Sequence, residues 1–299
     1  MKLTTKTTIL SWLILIALMI TWGSSFILIK KGLTVFSSMQ VGALRVCIAF
    51  LVLIPFAFKR IKELKRKHWL VLFFVSLGSA APAFLFPMAQ VGIDSATAGI
   101  LNSLTPLFTM LVGVLLFHLK VKWFNVLGVM IGLLGAAGLI SVSGGGNFQF
   151  NLGYAIYIII ATIFYAFNGN LIKSFLKDLS SFTITIYSFF FFGIPTLVYL
   201  LIGTDFIVKM NEHPQFWEGM AYVATLAIFG TAIALIVFNY LIKITTAVFA
   251  ASVTYLIPIV ALAWGILDGE RFGLIHILWI SCVLFGVFLV NAKRFLWFK

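Results

Sequence analysis

One proline recurs in the same setting twice along this chain, in Asn102-Ser103-Leu104-Thr105-Pro106 and in Thr254-Tyr255-Leu256-Ile257-Pro258, each copy inside a long apolar segment. The copies lie 152 residues apart, and the same offset carries Gly78 onto Gly230, Phe86 onto Phe238 and Gly113 onto Gly265 without a gap. A repeat of this length within apolar segments restricts the fold to two related halves in a membrane. Such halves place a binding site where they meet, lined by broken or bent helices, which points towards a carrier.

Composition identifies the solvent. With 62% hydrophobic residues, 10% charged residues and 32 Phe in 299 positions, the chain has far more apolar side chain than a water-soluble core could bury. Ten mainly apolar stretches are each long enough to cross about 30 Å of hydrocarbon at about 1.5 Å per residue. They run at 9–30, 38–58, 69–92, 96–117, 122–142, 152–172, 181–203, 217–241, 246–267 and 273–292, with tight joints near Asp94 and Lys243. The first follows Lys2 and Lys6 as a signal peptide would, but its apolar run exceeds a cleaved core of about 7–15 residues and predicts a retained helix. Cys47 and Cys282 both fall within helices and suggest neither a disulfide framework nor a metal site.

The net charge of +13 invites a nucleic-acid reading that its distribution opposes. With a cytoplasmic N-terminus, sixteen Lys or Arg fall on the cytoplasmic side, including the cluster Lys59, Arg60, Lys62, Lys65, Arg66 and Lys67, and four on the other. Six of the eight acidic residues fall outside. This is the positive-inside pattern, which predicts cytoplasmic termini and basic residues in contact with anionic lipid headgroups, with no nucleic-acid partner.

The polar stretch Ser143-Gly144-Gly145-Gly146-Asn147 follows the fifth apolar segment. Five is odd, so the second half enters the membrane from the opposite face and the repeat is inverted. The predicted division is a first repeat at 1–143, a linker at 144–151, a second repeat at 152–293 and a cytoplasmic tail at 294–299. Pro55 and Pro195 form a second matched pair at an offset of 140, the difference arising mainly from the longer 204–216 loop.

Proline within a spanning helix removes a backbone donor and frees a carbonyl, which hydrocarbon tolerates only beside other helices or a wet cavity. Pro82, Pro87, Pro106 and Pro258 are therefore predicted to bend helices that face protein or a cavity; a purely structural kink is the competing reading. Arg45 is the one full charge well inside a predicted span, where isolated burial costs at least roughly 2.5–3.5 kcal/mol. Two readings stay open for it: a counter-charge for an anionic group, or an anchor at the outer interface.

The neutral polar groups at depth are Trp22, Ser24 and Ser25; Gln90; Asn102 and Thr105; Tyr165, Asn168 and Asn170; Asn239 and Tyr240; and Thr254 and Tyr255. They concentrate in spans one, three, four, six, eight and nine and spare spans five and ten. That division makes the fifth helix of each half scaffold or dimer surface, and the others the wall of a polar cavity. Each such residue also has a plainer role in bonding helix to helix. Gly128-x3-Gly132 and Gly135-x2-Gly138 fit packing within the bundle or across a homodimer.

Together these residues resemble a ten-helix member of the drug/metabolite transporter superfamily, of the EamA type with two EamA repeats. The resemblance rests on Thr21-Trp22-Gly23-Ser24-Ser25-Phe26 with Arg45 in the next helix, and on Gly230-Thr231-Ala232 through Phe238-Asn239-Tyr240. It continues in Ser252-Val253-Thr254-Tyr255-Leu256-Ile257-Pro258 and Leu267-Asp268-Gly269-Glu270-Arg271-Phe272. It implies an all-α inner-membrane permease that exports small metabolites such as amino acids by alternating access. It also implies a central cavity enclosed by helices one to four and six to nine. Where the family usually repeats a Glu, this chain has Glu270 in one half and His118 in the other, a change that bears on local loop structure. Phe86-Pro87-Met88-Ala89-Gln90 also departs from the family's usual aromatic and leucine run, with an expected effect on substrate preference.

No carboxylate lies mid-span, and His276 sits near the outer end of the last segment, so the expected movement is facilitated or driven by the substrate gradient rather than by protons. An aromatic, amide-rich lining with one fixed positive charge suits small zwitterions or heterocycles better than multiply anionic cargo. A lipid or lipid-linked precursor flippase is the alternative. An enzyme is not expected: no HExxH, paired aspartates or Ser–His pair within a helical turn occurs, and Glu212 with His213 reads as solvated loop. No metal or cofactor is implied; the expected partners are a small-molecule substrate and membrane lipids.

Overall fold

Backbone in hydrocarbon must satisfy its own hydrogen bonds, and this chain does so with helices. The computed structural model describes residues 5–93, 95–120, 122–143 and 152–267, with scattered positions between 274 and 289. Asp94, the 144–151 linker, the 268–272 run with Glu270, His276 and the 294–299 tail lie outside the described residues. Among those described, every regular element is helical.

The first half contains α1 (Thr5–Gly32), α2 (Ser38–Arg60), α3 (Arg66–Gln90), α4 (Ser95–Asn102), α5 (Thr105–Phe117) and α6 (Trp123–Ser143). The second contains α7 (Leu152–Phe175), α8 (Ser181–Ile202), α9 (Phe206–Glu212), α10 (Phe216–Thr225), α11 (Ala234–Ile244), α12 (Ala247–Ala251) and α13 (Ile257–Leu267). A π-helical segment, Leu226–Ile233, joins α10 to α11, and a 3-10 turn, Ser252–Tyr255, precedes α13. Among the described residues, six helices are long and apolar enough to cross a membrane: Thr7–Gly32, Ser38–Glu63, Arg66–Gln90, Gly153–Phe175, Ser181–Ile202 and Phe216–Ile244. Thr105–Phe117, Trp123–Gly135 and Ala247–Ala261 are shorter apolar helices. The bundle turns large apolar groups outward, Phe58 at 75% and Ile202 at 81% exposure among them, a surface suited to lipid.

Caps set several boundaries. Ser37 opens α2 with a reciprocal box, its hydroxyl accepting from the Gln40 N–H while the Gln40 amide oxygen accepts from the Ser37 N–H. Ser180 and Thr246 cap α8 and α12 through the N–H groups of Thr183 and Phe249. His118 ends α5 in the left-handed conformation, at φ 50°, with the Leu119 N–H returning to the Gly113 carbonyl. The His that departs from the family pattern thus occupies a helix stop.

In the fourth and ninth apolar stretches, where the repeated proline predicts a bend, the helix is divided in two. Each breaks at the repeated proline, between α4 and α5 and between α12 and α13. Pro106 and Pro258 stand in the first turn of the helix that resumes, where the missing N–H has no helical partner to lose. The two breaks meet: the Ser103 hydroxyl in the first donates to the Thr254 carbonyl in the second at 2.9 Å. Pro82 and Pro87 instead remain within α3. The stretch at 204–216, expected as loop, holds α9, anchored by Phe206 against Phe36 and Phe216.

The packing is reciprocal between halves. α3 lies along α7, and α1 lies along α10, the π segment and α11; α2 pairs with α8; α5 packs on α7 as α13 packs on α1. Two of the small residues of α6 pack within the bundle, Gly132 against Tyr255 and the Gly286 backbone and Gly138 against Trp279.

Candidate functional site

The helices enclose a cavity of about 960 Å³, counting the part open to solvent. Of the residues singled out from sequence, Trp22, Ser25, Arg45, Asn102, Thr105, Tyr165, Asn168, Asn239 and Thr254 line it. Ser24, Gln90, Asn170, Tyr240 and Tyr255 lie outside that lining. Ser24 accepts from the Trp264 indole, and the Gln90 amide ties the end of α3 to the Phe26 carbonyl and Ser95. Asn170 bonds the Thr109 and Ala166 carbonyls, Tyr240 is 41% exposed, and Tyr255 is wholly buried. These residues join helices or face outward.

The lining is built from pairs. Trp22, Ser25, Phe26 and Ile29 of α1 fall on Tyr165, Asn168, Gly169 and Ile172 of α7 at one constant spacing, and all eight line the cavity. Ser79 of α3 falls on Thr231 of the π segment, and Phe86 on Phe238, at the 152-residue offset. The contacts repeat as well. Trp22 meets Phe238 edge-on at 5.0 Å, and its counterpart Tyr165 meets Phe86 at 6.0 Å. Gly78 admits Asn168 to close contact, and Gly230 admits Ser25. Ser79, Thr109 and Thr231 were absent from the sequence-based set; matching polar residues across the repeat would have found the Ser79–Thr231 pair.

The π segment organises one wall. A π-helical turn displaces carbonyls from the regular ladder, and such turns occur often at functional sites. Here the Gly230 carbonyl accepts the Trp22 indole N–H at 2.8 Å, and the Thr231 hydroxyl donates to the Leu226 carbonyl five residues back. The same hydroxyl oxygen receives Arg45 through Nε at 3.4 Å and Nη2 at 3.3 Å, while Nη1 reaches the Ala83 carbonyl at 3.5 Å. Arg45 is 7% exposed and faces the cavity rather than the outer interface. The Asn168 amide nitrogen donates to Ser79 Oγ at 2.9 Å and to the Val75 carbonyl at 3.4 Å. Because that carbonyl can only accept, the orientation of the amide is fixed, and Asn168 Oδ1 is left buried without a partner among the described residues.

A cavity of mixed aromatic, aliphatic and polar lining between two halves of an apolar helical bundle is the architecture of a membrane transport protein. The sequence profile of the EamA-like transporter family matches residues 9–141 and again 152–292, and the chain belongs to that family, as two repeats. The uncharacterized inner membrane transporter YedA of Escherichia coli (strain K12) is 27% identical over 289 residues, covering 94% of this chain and 90% of its own. An uncharacterized transporter of Archaeoglobus fulgidus is 26% identical over 289 residues, covering 95% and 99%. A solved crystal structure shares the fold at TM-score 0.70 and 16% identity, covering 96% of this chain and 98% of its own. The protein is a multi-pass protein of the inner membrane.

Proposed function

We propose that this protein exports small metabolites such as amino acids or related compounds and moves them by alternating access. The observation that carries this reading is the pairing of the cavity wall: residues related by the repeat line one cavity together. A site built this way can be exposed to either face by rocking one half against the other, with the same kinds of contact breaking and forming on each side. Ten crossings are proposed: the six long helices, α4 with α5, α6, α12 with α13, and the segment beyond 273. The halves then run in opposite directions with both termini in the cytoplasm, in accord with the charge distribution.

The test is counterflow. Proteoliposomes holding the full-length protein and a panel of unlabelled amino acids and purines are expected to accumulate the matching labelled compound saturably, and equally with or without a pH gradient. Absence of counterflow across the panel by folded protein overturns the metabolite reading in favour of lipid cargo; a rate that follows the pH gradient overturns the uncoupled mechanism.

A further inference from the structure

Among the described residues, the cavity lining has one cation, and its bonding is incomplete. Arg45 is buried, and among the described residues no Asp or Glu lies within ion-pair distance of it. Its contacts go to two neutral oxygens, Thr231 Oγ1 and the Ala83 carbonyl, at 3.3–3.5 Å. Charge-assisted bonds to a guanidinium close to about 2.7–2.9 Å, and a guanidinium carries five donors arranged to grip a carboxylate with two of them. The geometry therefore holds Arg45 in place without neutralising it.

The aromatic pairs Trp22–Phe238 and Phe86–Tyr165 supply flat apolar walls to the same cavity.

Resting on the transport reading above, we propose that Arg45 is an anion subsite that holds a carboxylate of the cargo and that the aromatic pairs take its apolar body. The cargo is then an organic monocarboxylate carrying a flat or apolar body. One guanidinium compensates one carboxylate, so a dianion leaves a buried charge unpaired and is rejected. Cationic cargo without a carboxylate is repelled by the same group.

The experiment is equilibrium binding of radiolabelled 3-phenylpropionate to the purified full-length protein, competed by the unlabelled acid, by its neutral isostere 3-phenylpropanamide and by acetate. The acid is expected to compete at least about tenfold better than the amide, the scale of a charged against a neutral hydrogen bond in a buried site. Acetate, which has the charge but no body, is expected to compete weakly. Arg45→Gln is expected to remove the preference for acid over amide, and Arg45→Lys to restore part of it. The wild-type comparison needs no variant, so poor folding of Arg45→Gln leaves the proposal exposed to test. Equal competition by acid and amide, undiminished preference in folded Arg45→Gln, or no binding of the acid by folded protein overturns the subsite. Acetate competing as well as the acid overturns the cargo assignment and marks a site for free anions. Counterflow of neutral or cationic solutes by protein indifferent to carboxylates overturns the subsite alone, whereas loss of all counterflow overturns the carrier reading.

Discussion

The two repeats share one frame but fill it with different chemistry. Both send four residues of their first helix into the cavity at matching positions, and both set an aromatic ring of that helix against a Phe from the third helix of the other repeat. The third helices disturb their ladders by different means: α3 carries Pro82 and Pro87, whereas its counterpart has Ala234 and Asn239 at those positions and a π-helical segment instead. The second helices differ most. Arg45 in α2 corresponds, at the spacing of Pro55 and Pro195, to Thr185 in α8, whose hydroxyl receives the Asn239 amide at 2.9 Å. Shared positions thus build a container, and the mismatched pairs give its two halves different polar groups.

The strongest way to break this comparison is to fill the two close approaches. A Cβ on Gly230 would stand 2.7 Å from Ser25 Oγ, and one on Gly78 would stand 3.1 Å from the Asn168 side chain. Gly230→Leu is expected to abolish counterflow and lower Tm by overpacking worth about 1–3 kcal/mol; Gly78→Leu is expected to act alike but less. Normal counterflow in Gly78→Leu would show that the first repeat tolerates what the second does not, and the pairing would lose its functional meaning.

Thr185→Val tests the mismatch at the second helix. It removes the acceptor of a buried amide, because Asn239 Nδ2 then has no oxygen in place of Thr185 Oγ1. The expected cost is about 1–3 kcal/mol of stability, measured as a lower thermal midpoint in detergent, with the carboxylate preference intact because Arg45 is untouched. A changed acid-to-amide ratio in this variant would mean that both second helices read cargo.

Much of this frame was legible in the residues, and the reasons are physical. Apolar length reveals spans, and a proline repeated at a fixed distance reveals both the halves and the place where Ser103 and Thr254 meet. What the sequence concealed was which polar groups face the cavity. Asn168 and Asn170 are two residues apart on one helix, yet the first lines the cavity and the second bonds helix to helix. In lipid, periodicity carries little warning of this, since apolar side chains are acceptable on every face. The π segment was concealed too, because Leu226–Ile233 contains no proline; the Trp22 indole bond to Gly230 across 208 residues is a tertiary contact that local sequence cannot announce.

That bond permits a finer comparison. Trp22→Phe keeps an edge contact to Phe238 but leaves the Gly230 carbonyl without its donor, at an expected cost of about 0.5–1.5 kcal/mol. Tyr165→Phe keeps the stack on Phe86 and is expected to cost less. Equal thermal shifts in the two variants would show that the π segment does not depend on the indole and that the first helices are closer to equivalent than their bonding suggests.

The smallest expected effect separates the two ends of the molecule. At one end a fully buried amide does the tying: Gln40 Nε2 donates to Asp205 Oδ1 at 2.8 Å, and its oxygen accepts from Lys209 Nζ at 3.0 Å. At the other, Asp178 in the α7–α8 connection takes Lys67 Nζ and His68 Nε2, each at 3.1 Å, while the Lys65 N–H holds His68 Nδ1. Lys67 foremost, with His68 adding to it, holds the Asp178 carboxyl below its usual range. A carboxyl whose value is lowered by folding contributes stability above its unfolded value, about 3.9, and loses it as pH falls through the lower folded value. Asp178→Asn keeps an oxygen for the His68 N–H and removes only the charge. Its thermal midpoint is expected to lie slightly below that of the wild type at neutral pH, with the gap closing below about pH 4 and narrowing in high salt, because the carboxyl is exposed. A gap that persists unchanged at pH 3 would assign the tie to the shape of the His68 contact rather than to charge, and would make the two ends alike.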